Sequence, residues 1–460
     1  MTHARIRLTG IAVVASLAWT GVQAGTPTPF APPSDGELVL YRDATLIDGT
    51  GAPARPHMDV LVAGERIQSV FPDAAPPAQA AKARVVDLHG QYLLPGLIDS
   101  HVHLATPPNR RQAEAMLRRD LYGGVTAVRD MADDLRALGD VARASRVGEI
   151  AGPDVYYAAL MAGPDFFTDP RTVQTSAGGV PGQVPWMQAI TAQTDLPLAV
   201  ARAAGTSATA IKLYADLDPT LAGRITAEAH RQHLLVWSHA TLYPAKPSEI
   251  VAAGVDAISH ACLLVREPDP HVPKWSAPRH PVDLARFHTG DSPELARLFA
   301  TMARRGTILD ATVWTYGAAP PGPSSAPPLQ PGSCDDIVGG AITGQAYRAG
   351  VQISAGTDNV APATDPWPDL FHELSALVDR AGMPPDAVLR SATLIGARAA
   401  GQDRDMGSLE PGKLANMVVL ARNPLTSIDN LKSVVMTVKR GRVFARGDFT
   451  PLQDDDITDF

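Results

Sequence analysis

Between Tyr92 and Gly401 the chain alternates short apolar runs with longer stretches whose apolar residues recur at helical spacing. This is the pattern of repeated strand–helix units around a parallel sheet. Eight runs read as strands: Leu93–His103, Val125–Arg129, Val155–Ala159, Ala208–Tyr214, Leu234–His239, Ala257–His260, Ile308–Thr312 and Gln352–Thr357. Helical stretches such as Ala113–Tyr122, Pro219–Gln232, Pro293–Arg305 and Phe371–Gly382 fall between or after them. Such a series suits an α/β fold of the (β/α)8 TIM-barrel type better than an open doubly wound sheet. No Gly-x-Gly-x-x-Gly follows a strand and no Walker A sequence is present, so nucleotide binding has no support.

The flanks have a different period. Leu38–Tyr41, Ala44–Ile47, Met58–Val62 and Arg66–Phe71 read as short strands separated by Gly-containing turns, and so do Ala415–Leu420, Val434–Lys439 and Val443–Ala445 at the other end. Neither group makes a sandwich alone. Together, residues 37–92 and 402–450 predict a small composite β-sandwich domain embracing a barrel at 93–401, with a tail at 451–460. Two long Pro-rich, aromatic-bearing connections, Met161–Trp186 after strand three and Leu263–Asp291 after strand six, read as lids or specificity walls on the C-terminal face.

Residues 1–24 read as a signal peptide: Arg5 and Arg7, an apolar core from Leu8 to Ala18, then Val22-Gln23-Ala24 before the cleavage point. The apolar core is too short for a permanent membrane span. Residues 25–36 read as a flexible leader, and the expected destination is a bacterial periplasm. The formal net charge of −8 becomes −10 once Arg5 and Arg7 leave with the signal, which argues against nucleic acid or an anionic membrane as partner. A small-molecule substrate is expected instead, with a homo-oligomer left open. Cys262 and Cys334 allow one bridge or two buried thiols.

The candidate chemistry sits at the strand ends. His101 and His103 alternate on one strand face, a half-site for a transition metal, with Asp99 one step behind on the same side and placed to orient one ring. Lys212 and Tyr214 point into the barrel while Ile211 and Leu213 face the helices. A buried ammonium is costly, so Lys212 either pairs with an inner acid such as Asp358 or is a deprotonated amine able to capture carbon dioxide as a metal-bridging carbamate. His239 and His260 end their strands, and Asp358 follows the last one. Imidazoles, a bridging anion and a carboxylate drawn from several strands are what two divalent cations require. His271, His280 and His288, in the loop after strand six, read as solvated.

These residues carry a resemblance. Pro95-Gly96-Leu97-Ile98-Asp99-Ser100-His101-Val102-His103, Ile211-Lys212, Ser238-His239-Ala240, Ser259-His260-Ala261, Gly356-Thr357-Asp358 and the closing segment Gly407 to Asn416 resemble the amidohydrolase superfamily, in its imidazolonepropionase-like and Xaa-Pro-dipeptidase-like branch. The resemblance implies that His101, His103 and Asp358 hold a buried cation, His239 and His260 a more exposed one, and carbamylated Lys212 bridges them. The metals would be two Zn, with Mn or Co also suiting the ligands. The chain departs from dipeptidase-like members after strand three, where Met161 to Phe167 stands in place of a Gly-Gly-His segment, and at Ser259, where Glu is common. The expected function is an exported amidohydrolase that cleaves peptide-like or N-acyl amino acid amides with a metal-bridging hydroxide. Asp358 moves the proton, and Tyr214 donates to the developing oxyanion or to a substrate carboxylate, or else fills the barrel. A lactonase or esterase on the same metals, or a binding protein without chemistry, remains the alternative.

Overall fold

The computed structural model describes residues 36–317, 334–453 and 456. The expected signal peptide, nearly all of the leader and most of the tail lie outside the described residues. No helix among the described residues is long and apolar enough to cross a membrane.

Two sheets organise the chain. Eight parallel strands form the barrel: Leu97–Val102, Val125–Asp130, Asp154–Ala162, Ala210–Leu213, Leu235–His239, Ala257–Ser259, Ile308–Asp310 and Ile353–Ser354. Consecutive strands pair in parallel from the first to the eighth. The ring closes through single backbone hydrogen bonds, from Ser100 N–H to Ala355 O at 2.8 Å and from Asp358 N–H to His101 O at 2.9 Å. Several intervening helices start where an Asp accepts a backbone N–H of the first turn and a Pro follows it, as at Asp218-Pro219, which fits the orphan donors of a helix start.

The second sheet draws on both chain ends. It runs Arg442–Ala445, Val434–Lys439, Met417–Leu420, Tyr92–Pro95, Leu38–Leu46, Arg55–Ala63 and Arg66–Pro72, with Arg84–Asp87 paired beside Leu38–Leu46. Its residues alternate between two cores. Val39 and Tyr41 pack with Met417 and Val419, while Leu40 packs with Leu61 and Phe71 on the opposite face. A buried ion cluster fastens this sheet to the barrel: Lys439 Nζ and Arg440 Nη2 reach the two oxygens of Asp154, at the start of strand three, at 3.0 and 2.7 Å.

The structure corrects the first predicted strand. Leu93–His103 is not one element. Tyr92–Pro95 belongs to the terminal sheet, where Leu94 pairs with Val418, and the barrel strand begins at Leu97. The break falls at Gly96, where a Cβ would stand 2.2 Å from Thr126 Oγ1, so only a residue without a side chain lets the two sheets meet there. The connection after strand three is also more ordered than a loop. It carries a short helix, Pro170–Thr175, and two strands, Gln183–Val184 and Met187–Ala189, the latter extending the pairing of strand three.

Cys262 and Cys334 are joined, with their Cα atoms 5.7 Å apart across a sequence separation of 72. Tying so long a loop restricts the unfolded chain by about 2–4 kcal/mol. Replacing both cysteines by Ala should therefore lower the unfolding free energy by about that amount in denaturant titration. Equal midpoints for the two proteins would contradict a bridge in solution.

Candidate active site

The barrel delivers its polar side chains at the C-terminal ends of its strands. His101 lies in strand one and His103 just beyond it, Lys212 in strand four, His239 at the end of strand five, His260 directly after strand six and Asp358 after strand eight. All six, with Tyr214, line one cavity of about 450 Å³. Three of the turning points, His260, Thr312 and Asp358, have φ of 78°, 47° and 48°. Such left-handed backbone at non-glycine residues is held only where the surroundings over-determine it.

The ring nitrogens converge. Nε2 of His101 and Nε2 of His103 stand 3.4 and 3.5 Å from the same oxygen, Asp358 Oδ1, and His260 Nδ1 stands 3.7 Å from Oδ2. The rings continue as a chain, His101 to His260 at 4.9 Å, His260 to His239 at 4.7 Å and His239 to Tyr214 at 4.0 Å between centroids. The opposite nitrogens of the first pair are already engaged by carboxylates, His101 Nδ1 with Asp310 Oδ2 and His103 Nδ1 with Asp133 Oδ1, both at 2.8 Å. A carboxylate on Nδ1 leaves Nε2 as a lone-pair donor aimed inward, the arrangement in which histidine binds metals.

Electrostatics point the same way for three of the four histidines; at His103, burial is outweighed by Asp133 and Asp358, which raise the pKa well above the usual value. Burial lowers the pKa of His101 and His239, and pushes His260 down to about 3, so these imidazoles are neutral donors. Burial alone would raise the Asp358 carboxyl, but the neighbouring imidazoles of His101, His103 and His260 hold it well below the usual carboxylate range. Burial also pushes Lys212 down to about 7, against the pull of Asp310. Its Nζ donates to Ser259 Oγ at 3.4 Å, and among the described residues it makes no ion pair, so the expected alternative of pairing with Asp358 is not what the structure contains. Imidazoles, a carboxylate and an amine whose pKa lies near 7 make a donor set that fits divalent transition metals.

Comparison with known proteins places this architecture. A model of the amidohydrolase family matches residues 343–444, a stretch that includes strand eight, Asp358 and the return into the terminal sheet. Among curated relatives, a dihydroorotase of Leifsonia xyli is 36% identical over 122 residues, 25% of this chain and 25% of its own. An allantoinase of Streptomyces avermitilis is 42% identical over 102 residues, 21% of each. An adenine deaminase of Rubrobacter xylanophilus is 38% identical over 66 residues, 14% of this chain and 11% of its own. The matched segments thus span a quarter or less of those relatives. Solved structures match far more of the fold. A Xaa-Pro dipeptidase with bound methionine superposes with a TM-score of 0.68 at 20% identity, covering 89% of this chain and 100% of the other. A putative prolidase from Bifidobacterium longum gives 0.67 at 24% identity, covering 91% and 97%.

Residues 343–444 carry an amidohydrolase-family match, and the fold as a whole is the one seen in the solved Xaa-Pro dipeptidase and prolidase structures.

Several residues of this site escaped the sequence. Asp310, fully buried in strand seven, takes hydrogen bonds on Oδ2 from His101 Nδ1, from Ser259 Oγ at 2.9 Å and from Arg129 Nη2 at 3.0 Å. Asp133 accepts from the Ala105 amide and the Thr106 hydroxyl while it holds His103. The one available signal for Asp310 was an acid inside an apolar strand run, Ile308-Leu309-Asp310-Ala311. Asp99 was expected to orient a ring. Instead its Oδ1 accepts the backbone N–H groups of His101 and Thr357, across an irregular stretch of pairing between Asp99 and Val102. His271, His280 and His288 do not line the cavity. From that loop Leu263, Trp275 and Arg279 do.

The two long connections meet across the cavity mouth, where Ser276 Oγ donates to Asp165 Oδ2 at 2.8 Å and Phe166 lies edge-on to Trp275 at 5.5 Å. Removing the Asp310 carboxylate would leave the Arg129 guanidinium, which is 0% exposed, without its counter-charge. Asp310→Ala should destabilise the protein by about 3–5 kcal/mol in denaturant unfolding. A loss below about 1 kcal/mol would show that Arg129 does not depend on it.

Proposed function

We propose that this chain is an exported, metal-dependent hydrolase of amide bonds, acting on peptide-like or N-acyl amino acid substrates. The observation that carries the reading is the convergence of His101 Nε2 and His103 Nε2 on one oxygen of Asp358, beside an amine whose pKa burial lowers to about 7. His101, His103 and Asp358 would hold one cation and His239 and His260 a second, with Lys212 between them. The Lys212 nitrogen would bond to the carbon of carbon dioxide and lose a proton to water, and the resulting carbamate would supply an anionic oxygen donor to the metals. When bound, two divalent cations acidify water and polarise a carbonyl.

The chain's own groups do the rest. Asp358 accepts the proton of the attacking water and passes it to the leaving nitrogen, which leaves as a neutral amine. Tyr214, lining the cavity against His239 and Phe166, donates its hydroxyl to the carbonyl oxygen as negative charge develops there. Phe166, Trp275 and Tyr243 give an apolar wall for a side chain. The Arg279 guanidinium lies over Tyr243 and Trp275, 3.7 and 4.9 Å from the ring centroids, and pairs with no carboxylate among the described residues. It is placed to receive a substrate carboxylate at the mouth. Export rests on the first 24 residues, and Zn, Mn or Co would suit the ligands.

The test is a hydrolysis screen of the mature chain, loaded with divalent metal in bicarbonate, on dipeptides, N-acyl amino acids and lactones. Release of free amino acid from one amide class is expected. Lys212→Ala should lower the rate ~10³-fold or more, equivalent to about 4 kcal/mol of transition-state stabilisation, and bind less metal. Turnover of lactones alone would overturn the amide reading, and full activity of Lys212→Ala would overturn the bridging carbamate.

A further inference from the structure

Beside the cavity that holds the candidate ligands lies a second one of about 440 Å³. Asp99 and Val102 of strand one and Met116 and Asp120 of the helix Arg110–Tyr122 line it, together with the segment after strand eight and the short helix Pro170–Thr175. It shares His103, Thr106, Arg171 and Asp358 with the first cavity, so the two are adjoining lobes of one site.

The charge in this second lobe does not balance. Four carboxylates line it: Asp358, which faces His101 and His103, and beyond it Asp99, Asp120 and Asp369. Arg119 is spent on Asp369, with Nη2 2.7 Å from Oδ2, and on the carbonyl oxygens of Ala361 and Pro362. Arg171, at the boundary between the lobes, is held by Asp169 at 2.8 Å. Asp99 has only the two backbone amides on Oδ1. Asp120 has less still. It is 7% exposed, and among the described residues no hydrogen bond or ion pair reaches its carboxylate. Burial and the neighbouring Asp369 push its pKa up to about 8, against the pull of Arg119.

A bare metal ion does not suit the lobe. Hard cations gather six or more oxygens. The oxygens of Asp99, Asp120 and Asp369 do not all come within 4.8 Å of one another as the ligands of one ion would. Val102, Met116 and Val360 supply apolar wall instead. Apolar sides with carboxylates at separate points match an alkyl chain ending in a cation.

We propose that this second lobe binds a cationic tail of the substrate, an alkylammonium or guanidinium group on a short apolar stem, with Asp120 as its counter-charge. The assignment rests on the reading of the adjoining lobe as the reaction site. It narrows the substrate to amides that carry a positive charge on the part extending past Asp358. With Arg279 at the mouth, the complete site would take a substrate with charge of both signs.

Direct binding tests this without turnover, so it can fail or succeed separately from the hydrolytic reading. Titration calorimetry of the full mature chain would compare n-pentylamine with n-pentanol. The amine should bind at least tenfold more tightly, and Asp120→Asn should remove that preference. Equal binding of amine and alcohol, an amine affinity unchanged in Asp120→Asn, or binding of sodium ion in place of the amine would each overturn the proposal. The amine–alcohol comparison uses the unaltered chain and decides the matter even if Asp120→Asn fails to fold.

Discussion

A single buried carboxylate sets the geometry on which the site depends. Asp310 is fully enclosed, and one of its oxygens receives the His101 ring, the Ser259 hydroxyl and the Arg129 guanidinium at once. Arg129 in turn donates to Ser100 O at 2.6 Å and lies over the Trp237 ring at 4.5 Å. Ser259 accepts from Lys212. Strands one, two, four, five, six and seven are therefore tied through one oxygen and its direct partners. His101 and Arg129 overcome burial and keep Asp310 below the usual carboxylate range, so the network has an ionised centre. A charge in that position is stable only because it is paired and hydrogen-bonded, and removing any partner exposes the desolvation cost of the others.

The same centre explains the tight backbone around it. A Cβ at Gly356 would stand 2.3 Å from Asp310 Oδ1 and 2.6 Å from His101 Cβ, so strand eight can approach only without a side chain there. That approach lets Asp358 turn back through a left-handed φ and donate its amide to His101 O, which puts its carboxylate against both Nε2 atoms. Barrel closure and assembly of the site are thus one event.

Much of this was legible in the sequence, and the misses share a cause. The barrel, the sheet built from both ends and the six strand-end residues were readable because period-two and helical patterns persist over many residues, and because His and Lys at strand ends are chemically conspicuous. Asp310 was not, since one acid inside an apolar run looks like any polar interruption until its partners from other strands are known. Asp99 was misplaced because strict alternation was assumed across a strand with a register shift. Asp120 sits on a helix amid Arg118, Arg119 and Tyr122, where an acid reads as surface, and only the packing of that helix against strand two shows that the side chain is buried. The disulfide also needed coordinates, because spacing alone does not bring two cysteines within reach.

The contrast between the sequence and fold comparisons has a physical reading. Family-level similarity is found at residues 343–444, whereas fold similarity at 20% identity extends over 89% of the chain. The matched stretch is where the backbone itself is constrained. Gly356 must pass Asp310, Asp358 must turn, and the chain must return through Met417–Leu420 to pair with Tyr92–Pro95. The four histidines and Lys212 instead occupy single positions on separate strands, each followed by a helix or loop that can change freely so long as it packs. Such a site leaves its chemistry in isolated residues and its specificity in the connections between them. Trp275, Arg279 and Phe166 all lie in the two long connections, which is where differences in substrate among barrels of this kind are decided.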